Sequence, residues 1–147
     1  MNIRTICPDD RDIFMEMVKE FYASSAVSSD VDFSNFEMTF QLSIENSPFL
    51  RTLMLEDGGN PIGYGLLSFT YSNEVGGMVV LMEELYIHAA FRGLGHAHSF
   101  FAFVEREYPA AKRFRLEVRA DNVGAISLYR RLGYGDIPYT QMYRDRA

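Results

Sequence analysis

A short glycine-rich segment is the clearest candidate for chemistry in this sequence. Arg92-Gly93-Leu94-Gly95-His96-Ala97 lies between an apolar run that predicts a strand and a periodic run that predicts a helix. The first amides of a helix have no intrahelical partner and carry a partial positive charge, and small residues let an anion approach them closely. The segment is therefore suited to hold a nucleotide-like pyrophosphate; the alternative is an ordinary strand-to-helix turn.

Two other phosphate-binding motifs fit this segment poorly. A P-loop ends in Gly-Lys followed by Ser or Thr, and these six residues include no Lys. The dinucleotide-binding fingerprint would place its third Gly or Ala at His98, so the pattern fails there. Glu117 does lie near the distance at which that fold places its ribose-binding acid, so the failed glycine and the short chain exclude it better than distance does.

Two adjacent carboxylates, Glu83 and Glu84, interrupt the apolar run that precedes this segment. Successive side chains of a strand point to opposite faces, so one of the two could face a cleft. An alkyl ammonium, with a pKa near ~10.4, must lose a proton before it acts as a nucleophile, which requires a base or a water chain. Glu83 is the favoured base and Glu84 the second choice; the alternative is that both are structural, hydrogen-bonded or at a bulge.

Periodicity and turn signals predict the elements that would position these residues. The predicted strands are Met1–Cys7, Phe49–Glu56, Ile62–Tyr71, Met78–His88, Arg113–Arg119 and Ile137–Tyr143. The predicted helices begin near Pro8, Phe36, Gly95 and Asn122, and Ala23–Ser34 is a predicted loop. Hairpins thus precede a β-α-β unit. This order predicts one α/β (α+β) domain over residues 1–147, with a central mixed, mostly antiparallel sheet flanked by about four helices.

Bulk composition restricts the class of partner. The chain has 147 residues, 48% hydrophobic and 23% charged, which is globular composition. Its net charge of -6 disfavours nucleic acid and would suit a cationic substrate, although it could serve solubility alone. Cys7 is the only cysteine, and no apolar run reaches the ~18 residues of a membrane span. We expect a cytoplasmic protein without membrane association or a metal site.

The combined pattern resembles the GCN5-related N-acetyltransferase (GNAT) superfamily. Residues 92–97 match its Arg/Gln-x-x-Gly-x-Gly/Ala motif, and Glu83–Ile87 match the strand that faces its cofactor. Residues 122–134 match its Asn-x-x-Ala-x-x-Leu-Tyr-x-x-x-Gly-Phe/Tyr signature. The resemblance covers about residues 60–135. It implies an acyl-CoA N-acyltransferase fold and transfer of an acetyl group from acetyl-CoA to an amine.

The resemblance also implies a role for each matched residue. Tyr129 would be a general acid near the sulfur of coenzyme A. Asn122 would contact the pantetheine side of the cofactor. The strand residues for the pantetheine arm are Leu85, Tyr86 and Ile87, with Leu85 and Ile87 acting through backbone groups. The residues for the pyrophosphate are Arg92, Gly93, Leu94, Gly95, His96 and Ala97, where His96 replaces a more usual aliphatic or basic residue.

The acceptor amine is less well defined than the donor. Residues 63–71 and 82–87 are similar to the spermidine/spermine N-acetyltransferase branch, so a polyamine-like amine is favoured. An aminoglycoside, a peptide N-terminus or lysine, a non-catalytic acyl-CoA sensor and an interaction protein are the alternatives. Asp30, Asp32 and Glu37 could line an acceptor site or be solvated loop charges. The resemblance is also compatible with a homodimer.

Overall fold

The computed structural model describes residues 1–24 and 31–146, in which five strands and four α-helices follow the predicted order as far as the last helix. The strands are β1 (Asn2–Thr5), β2 (Leu50–Asp57), β3 (Asn60–Ser72), β4 (Gly77–Ile87) and β5 (Arg113–Leu116). The helices are α1 (Arg11–Ala23), α2 (Ser34–Ile44), α3 (His96–Glu107) and α4 (Val123–Arg131). Residues 25–30, within the predicted loop, lie outside the described residues. None of the described helices is both long and apolar enough to cross a membrane.

The strands form one sheet in the order β1-β2-β3-β4-β5. Neighbours from β1 to β4 are antiparallel. Short turns join β2 to β3 and β3 to β4, whereas α1 and α2 separate β1 from β2. β5 pairs with β4 in parallel after the crossover through α3. The predicted mixed, mostly antiparallel sheet is therefore confirmed.

Each face of the sheet carries its own apolar core. Met54 packs in the cluster beneath α1 and α2, whereas its neighbours Leu53 and Leu55 pack in the cluster beneath α3. This alternation is what a strand produces, since successive side chains point to opposite faces. The helices contribute Phe14, Met17 and Val18 to the first cluster and Phe100, Phe101 and Val104 to the second, and all six are buried.

A bulge in β4 opens the sheet on one side. Leu67 pairs with Met82 and Leu66 pairs with Glu84, so the register between β3 and β4 skips Glu83. The parallel ladder between β4 and β5 ends at Met82. A bulge bends the strand that contains it. Beyond Met82, β4 therefore stays paired with β3 and separates from the chain that follows β5.

Two predicted strand assignments are wrong. β5 ends at Leu116 rather than Arg119, because the ladder with β4 ends there. Residues 137–143, predicted as a last strand, have an irregular backbone. An alternating pattern forms a strand only against a partner edge. Pro138 cannot donate to a ladder, and the side chains of Met142 and Tyr143 are 92% and 90% exposed.

Candidate active site

A cleft of about 530 Å³ lies where β4 and the chain after β5 separate. Five predicted site residues line it together, three on β4 and two on α4 and its N-cap: Glu83, Glu84, Leu85, Asn122 and Tyr129. The other lining residues are Phe21 and Tyr22 from α1, Met82 from β4, Phe101 from α3, Leu116, Glu117, Val118 and Arg119 from β5 and its continuation, and Ala125 from α4. Residues far apart in the sequence thus meet at the point where the sheet opens.

The glycine-rich segment forms the turn into α3. Gly93 and Gly95 have φ angles of 75° and 84°, a left-handed conformation that glycine adopts without strain. Gly95 is the N-cap, and the first intrahelical bond runs from Ser99 N to Gly95 O (3.1 Å). The amides before Ser99 therefore face outward from the helix end. A Cβ on either glycine would meet no described atom within 4 Å, so the turn leaves room for an anion.

Two other predicted pyrophosphate residues show how this turn is held. The Arg92 side chain is exposed, and its Nε donates to the carbonyl oxygen of Ile87 (2.8 Å), which ties the turn to the end of β4. His96 has a buried Nε2 that finds no hydrogen-bond partner among the described residues. Its ring packs near Phe91, with 6.4 Å between centroids. Its imidazole thus belongs to the apolar packing behind the turn.

The predicted strand residues for the pantetheine arm, Leu85 to Ile87, lie past the bulge. They pair with β3 through Gly65, Tyr64 and Gly63. Because the β5 ladder has ended, the opposite edge of this stretch faces the cleft. An extended ligand can add to such an edge as a further strand. Tyr86 could take part only through its backbone, because its side chain is buried in the core beneath α1 and α2.

Asn122 performs a structural task at the start of α4. Its side-chain oxygen accepts a hydrogen bond from the amide of Ala125 (3.3 Å), which is the usual contribution of an N-cap asparagine. This bond leaves the Nδ2 group available on a residue that lines the cleft. The predicted contact with the cofactor stays a prediction.

The two carboxylates of β4 have different surroundings. Glu83 is exposed and accepts a hydrogen bond from Ser68 Oγ (2.7 Å). Glu84 is partly buried, and its two oxygens accept hydrogen bonds from the phenols of Tyr22 and Tyr64. Burial raises the pKa of Glu84, the nearby charge of Glu83 raises it further, and the two phenols oppose the shift. Glu84 is thus the carboxylate whose proton affinity the fold has raised.

Tyr129 lies on α4 at the edge of the core beneath α3. Its ring makes edge-to-face contacts with Phe101 and Tyr134, at centroid distances of 5.5 and 6.2 Å. Burial raises the pKa of Tyr129, so its phenol keeps its proton at neutral pH. A fixed, protonated phenol at the cleft wall could donate a proton to a leaving group.

The charges of the cleft are mainly negative. Glu117 adds a third carboxylate to those of Glu83 and Glu84. The one cation among the described lining residues, Arg119, forms an ion pair with Asp121 (2.9 Å). An arrangement of this kind attracts a cationic ligand.

Comparison with known proteins decides the family. A sequence model described as "Acetyltransferase (GNAT) family" matches residues 13–134. The chain belongs to the GNAT family. GNAT enzymes are acetyl-CoA-dependent N-acetyltransferases, and this chain is one of them. No curated protein matches the sequence significantly.

Solved GNAT structures share the whole fold at low sequence identity. A possible acetyltransferase from Clostridium difficile 630 is 13% identical, with a TM-score of 0.86 over 99% of this chain and 97% of that one. A ribosomal-protein-alanine N-acetyltransferase from Brucella melitensis biovar Abortus 2308 is 15% identical, with a TM-score of 0.80 over 98% of both chains. The aminoglycoside N-acetyltransferase AAC(6')-Iy, in complex with CoA, is 17% identical, with a TM-score of 0.79 over 99% and 95%.

Sequence reasoning missed the two phenols that hold Glu84 in this GNAT chain. Periodicity places Tyr22 on the apolar face of the first predicted helix, and Tyr64 lies in the predicted strand Ile62–Tyr71. The available signal was a tyrosine at an apolar position, because a buried phenol requires a hydrogen-bond partner. In both cases that partner is a carboxylate from another element.

Of the three carboxylates considered for the acceptor site, two are not among the residues that line the cleft, and the third is not described. Asp32 accepts a hydrogen bond from the amide of Ser34 (2.9 Å), and Glu37 forms an ion pair with Arg11. Asp30 lies outside the described residues. Within residues 1–24 and 31–146, no cluster of His, Cys, Asp and Glu is arranged to hold a metal ion.

Proposed function

We propose that this GNAT enzyme transfers the acetyl group of acetyl-CoA to a primary amine of a small, polyamine-like molecule, by direct attack in a ternary complex. The observation that carries the proposal is the meeting of a partly buried carboxylate, Glu84, and a phenol, Tyr129, in one negatively charged cleft. The glycine-rich turn lies at the end of the same strand that supplies Glu84.

The residues fit acetyl-CoA in three places. The outward-facing amides after Gly95, with the exposed guanidinium of Arg92, would hold the pyrophosphate. The open edge of Leu85–Ile87 would hold the pantetheine arm by backbone hydrogen bonds, with the Asn122 amide on the other side. Bound acetyl-CoA supplies an acetyl group activated as a thioester.

Glu84 is the base that the surroundings support best. An ammonium must release its proton before the nitrogen can attack, and a carboxylate with a raised pKa accepts that proton more readily than an ordinary one. Glu83, favoured from the sequence, is exposed and bound to Ser68, which suits a residue that holds a second positive charge of the acceptor. The choice between the two is a prediction that mutagenesis tests.

Tyr129 would provide the second proton transfer. When the carbon–sulfur bond breaks, the sulfur requires a proton, and a phenol that is protonated at neutral pH can donate one from Oη. Its position on α4, against Phe101 and Tyr134, restricts the motion of the ring. A non-catalytic acyl-CoA sensor would retain the glycine-rich turn without requiring this acid and base.

Charge supports a cationic acceptor. Three carboxylates line the cleft, its arginine is paired, and the chain has a net charge of -6. Polyamines, aminoglycosides and basic peptide termini all meet this requirement. The structural neighbours include enzymes named for aminoglycosides and for a ribosomal-protein alanine, which keeps both as alternative acceptors. The similarity of residues 63–71 and 82–87 to the spermidine/spermine branch favours a polyamine.

The test is thiol release from acetyl-CoA over a panel of spermidine, spermine, diamines, aminoglycosides, amino acids and lysine peptides. Calorimetric binding of acetyl-CoA is measured in parallel. Turnover with polyamines supports the whole proposal. Turnover with another amine supports the transferase activity and contradicts the polyamine-like acceptor. Binding without turnover on any amine favours the sensor. Absence of acetyl-CoA binding contradicts the proposal.

We also propose the domain extent, cellular location and partners of the enzyme. We expect a single acetyltransferase domain over residues 1–147 that works in the cytoplasm on a small molecule, without nucleic acid or membrane partners. A homodimer is compatible with this assignment. Light scattering of the purified chain measures the oligomeric state directly.

A further inference from the structure

The Glu84 carboxylate is held by one phenol at each oxygen. Tyr22 of α1 donates from its hydroxyl to Oε1, and Tyr64 of β3 donates to Oε2 at 2.7 Å. An ionised carboxylate is purely an acceptor and can take one bond at each oxygen, whereas a protonated carboxyl group is also a donor. The pair therefore positions the base in the form that can take up a proton.

The two phenols differ in their access to solvent. Tyr64 is 0% exposed, and its ring is enclosed by Phe14 and Tyr86 at centroid distances of 5.2 and 6.0 Å. Tyr22 is partly buried, lines the cleft, and has its ring against Phe36 at 4.8 Å. A proton that reaches the hydroxyl of Tyr22 can continue into the cleft, whereas one that reaches Tyr64 meets the core.

A relay through Tyr22 requires the proton on Glu84 to lie on the line from Oε1 to Tyr22, and in that position these bonds must rearrange. The new hydrogen on Oε1 would point at the hydroxyl hydrogen of Tyr22, so that one of the two must turn away. If the Tyr22 hydroxyl rotates, its oxygen accepts from the carboxyl group and its hydrogen points toward the cleft. The bond from Tyr64 to Oε2 can stay as it is.

We propose that Tyr22 relays to solvent the proton that Glu84 takes from the amine, while Tyr64 only positions the carboxylate. The proton from the ammonium goes to Glu84 Oε1. The carboxyl proton then passes to Tyr22 Oη as the hydroxyl proton of Tyr22 passes to water in the cleft, so that Glu84 is again a carboxylate and Tyr22 again a neutral phenol. The inference rests on the proposed function, because it assumes that Glu84 is the base.

The two transfers at Tyr22 must be concerted. Burial and the bond to Glu84 raise the pKa of Tyr22, so a free phenolate is disfavoured. The ionisable groups that face this network come from the surrounding elements: Glu83 and Tyr86 on the same strand, Tyr22 on α1, Tyr64 on β3, Glu117 and Arg119 after β5, and Tyr129 on α4.

The experiment compares Tyr22→Phe with Tyr64→Phe, which lose the same hydroxyl on opposite sides of one carboxylate. Both should lower kcat, by about tenfold, because each removes one hydrogen bond to the charged base. Both should also shift the acidic limb of the pH–rate profile upward. Only Tyr22→Phe should regain turnover as N-methylmorpholine, a small base that forms no stable amide, is increased at fixed pH and ionic strength.

A Tyr22→Phe enzyme that binds acetyl-CoA but shows no response to added base overturns the relay, as does an equal response of Tyr64→Phe. If Tyr22→Phe fails to fold, the wild-type enzyme is measured in mixtures of H2O and D2O. A curved dependence of kcat on deuterium fraction supports two protons moving together, and a linear one overturns the relay. Absence of wild-type turnover on the amine panel would instead contradict the proposed function, which keeps the two failures distinct.

Discussion

Met82 of β4 and Leu116 of β5 form the last pair of the parallel ladder, and the bulge follows at the next residue of β4. The sheet therefore opens immediately after Met82, at the two residues Glu83 and Glu84. Backbone groups on the β4 edge and side chains after β5 become available to a ligand at the same point. The proposed donor and acceptor sites both depend on this separation.

Gly95→Ala should weaken acetyl-CoA binding by about tenfold, because the left-handed conformation costs a residue with a Cβ roughly 1–2 kcal/mol and a 1.4 kcal/mol difference is tenfold in Kd. The turn is exposed, so it should relax to a conformation that no longer presents its amides. Calorimetry measures Kd. Gly76→Ala is the matched control, since Gly76 has a φ of 66° in the β3–β4 turn and should leave Kd unchanged. Equal affinity of Gly95→Ala and wild type would contradict the role of the turn.

The sequence predicted most of the fold because the fold depends on local signals. The glycine-rich turn, the strand with two carboxylates and the helix that begins at Asn122 were each recognised from residues close together in the chain, and the structure places them as expected. Predicted boundaries failed where pairing decides them. β5 stops at Leu116 because β4 bends away, and residues 137–143 form no ladder within the described structure despite their alternation.

The partners of Glu84 could not be predicted in the same way. Tyr22 and Tyr64 lie 62 and 20 residues from Glu84 in the chain, and each hydrogen bond joins two separate elements. Such contacts follow from how α1 crosses the sheet, which periodicity does not specify. For the same reason the sequence could not separate Glu83 from Glu84 as candidate bases. The two are the same residue type and differ only in their surroundings.

Glu84→Gln should lower kcat by about 10²–10⁴, the range typical of a lost general base. Acetyl-CoA affinity should stay near that of wild type. Glu83→Gln should chiefly raise the KM for the amine, because its exposed carboxylate lies beside the proposed base. Steady-state kinetics on the acceptor found in the panel separate the two effects. Glu74→Gln, which alters a carboxylate bound to Arg113 outside the cleft, is the control. If Glu83→Gln lowered kcat and Glu84→Gln chiefly raised the KM for the amine, Glu83 would be the base instead.

The same Glu84→Gln change should stabilise the folded protein at pH 7. The pKa of Glu84 is raised in the folded state, so its contribution to stability is favourable below its unfolded pKa of ~4.3 and is lost as pH rises through the folded value. Glutamine carries no charge, so the variant does not lose stability as pH rises, and its side-chain amide can still form hydrogen bonds with both phenols. Thermal unfolding should show a higher Tm than wild type at pH 7 and a difference that disappears near pH 4. A lower Tm at pH 7 would show that the phenol bonds outweigh the burial of charge.

Asp10→Asn should destabilise the fold by about 1.5–3 kcal/mol, the range for a lost hydrogen bond to a charged group. Asp10 is buried, bonds Arg4 and the amide of Cys7, and has its pKa lowered to about 2, chiefly by Arg4. Its stabilisation is present above the unfolded pKa of ~3.9 and is lost as pH falls toward 2. Denaturant unfolding should therefore show the gap between variant and wild type closing over that interval. Asp136→Asn, which breaks an exposed pair with Arg130, should change stability by less than about 1 kcal/mol.

Tyr129→Phe should slow acetyl transfer by about 100-fold while leaving the Kd for acetyl-CoA near wild type, because it removes the proton donor and keeps the ring. Tyr134→Phe is the matched control. Its phenol lies in the same aromatic cluster, and its Oη is buried with no hydrogen-bond partner among the described residues. Removing that hydroxyl should preserve activity and maintain or raise Tm, since it relieves an unsatisfied polar group. Equal rates for Tyr129→Phe and wild type, measured by thiol release with saturating amine, would assign the protonation of the sulfur to water instead.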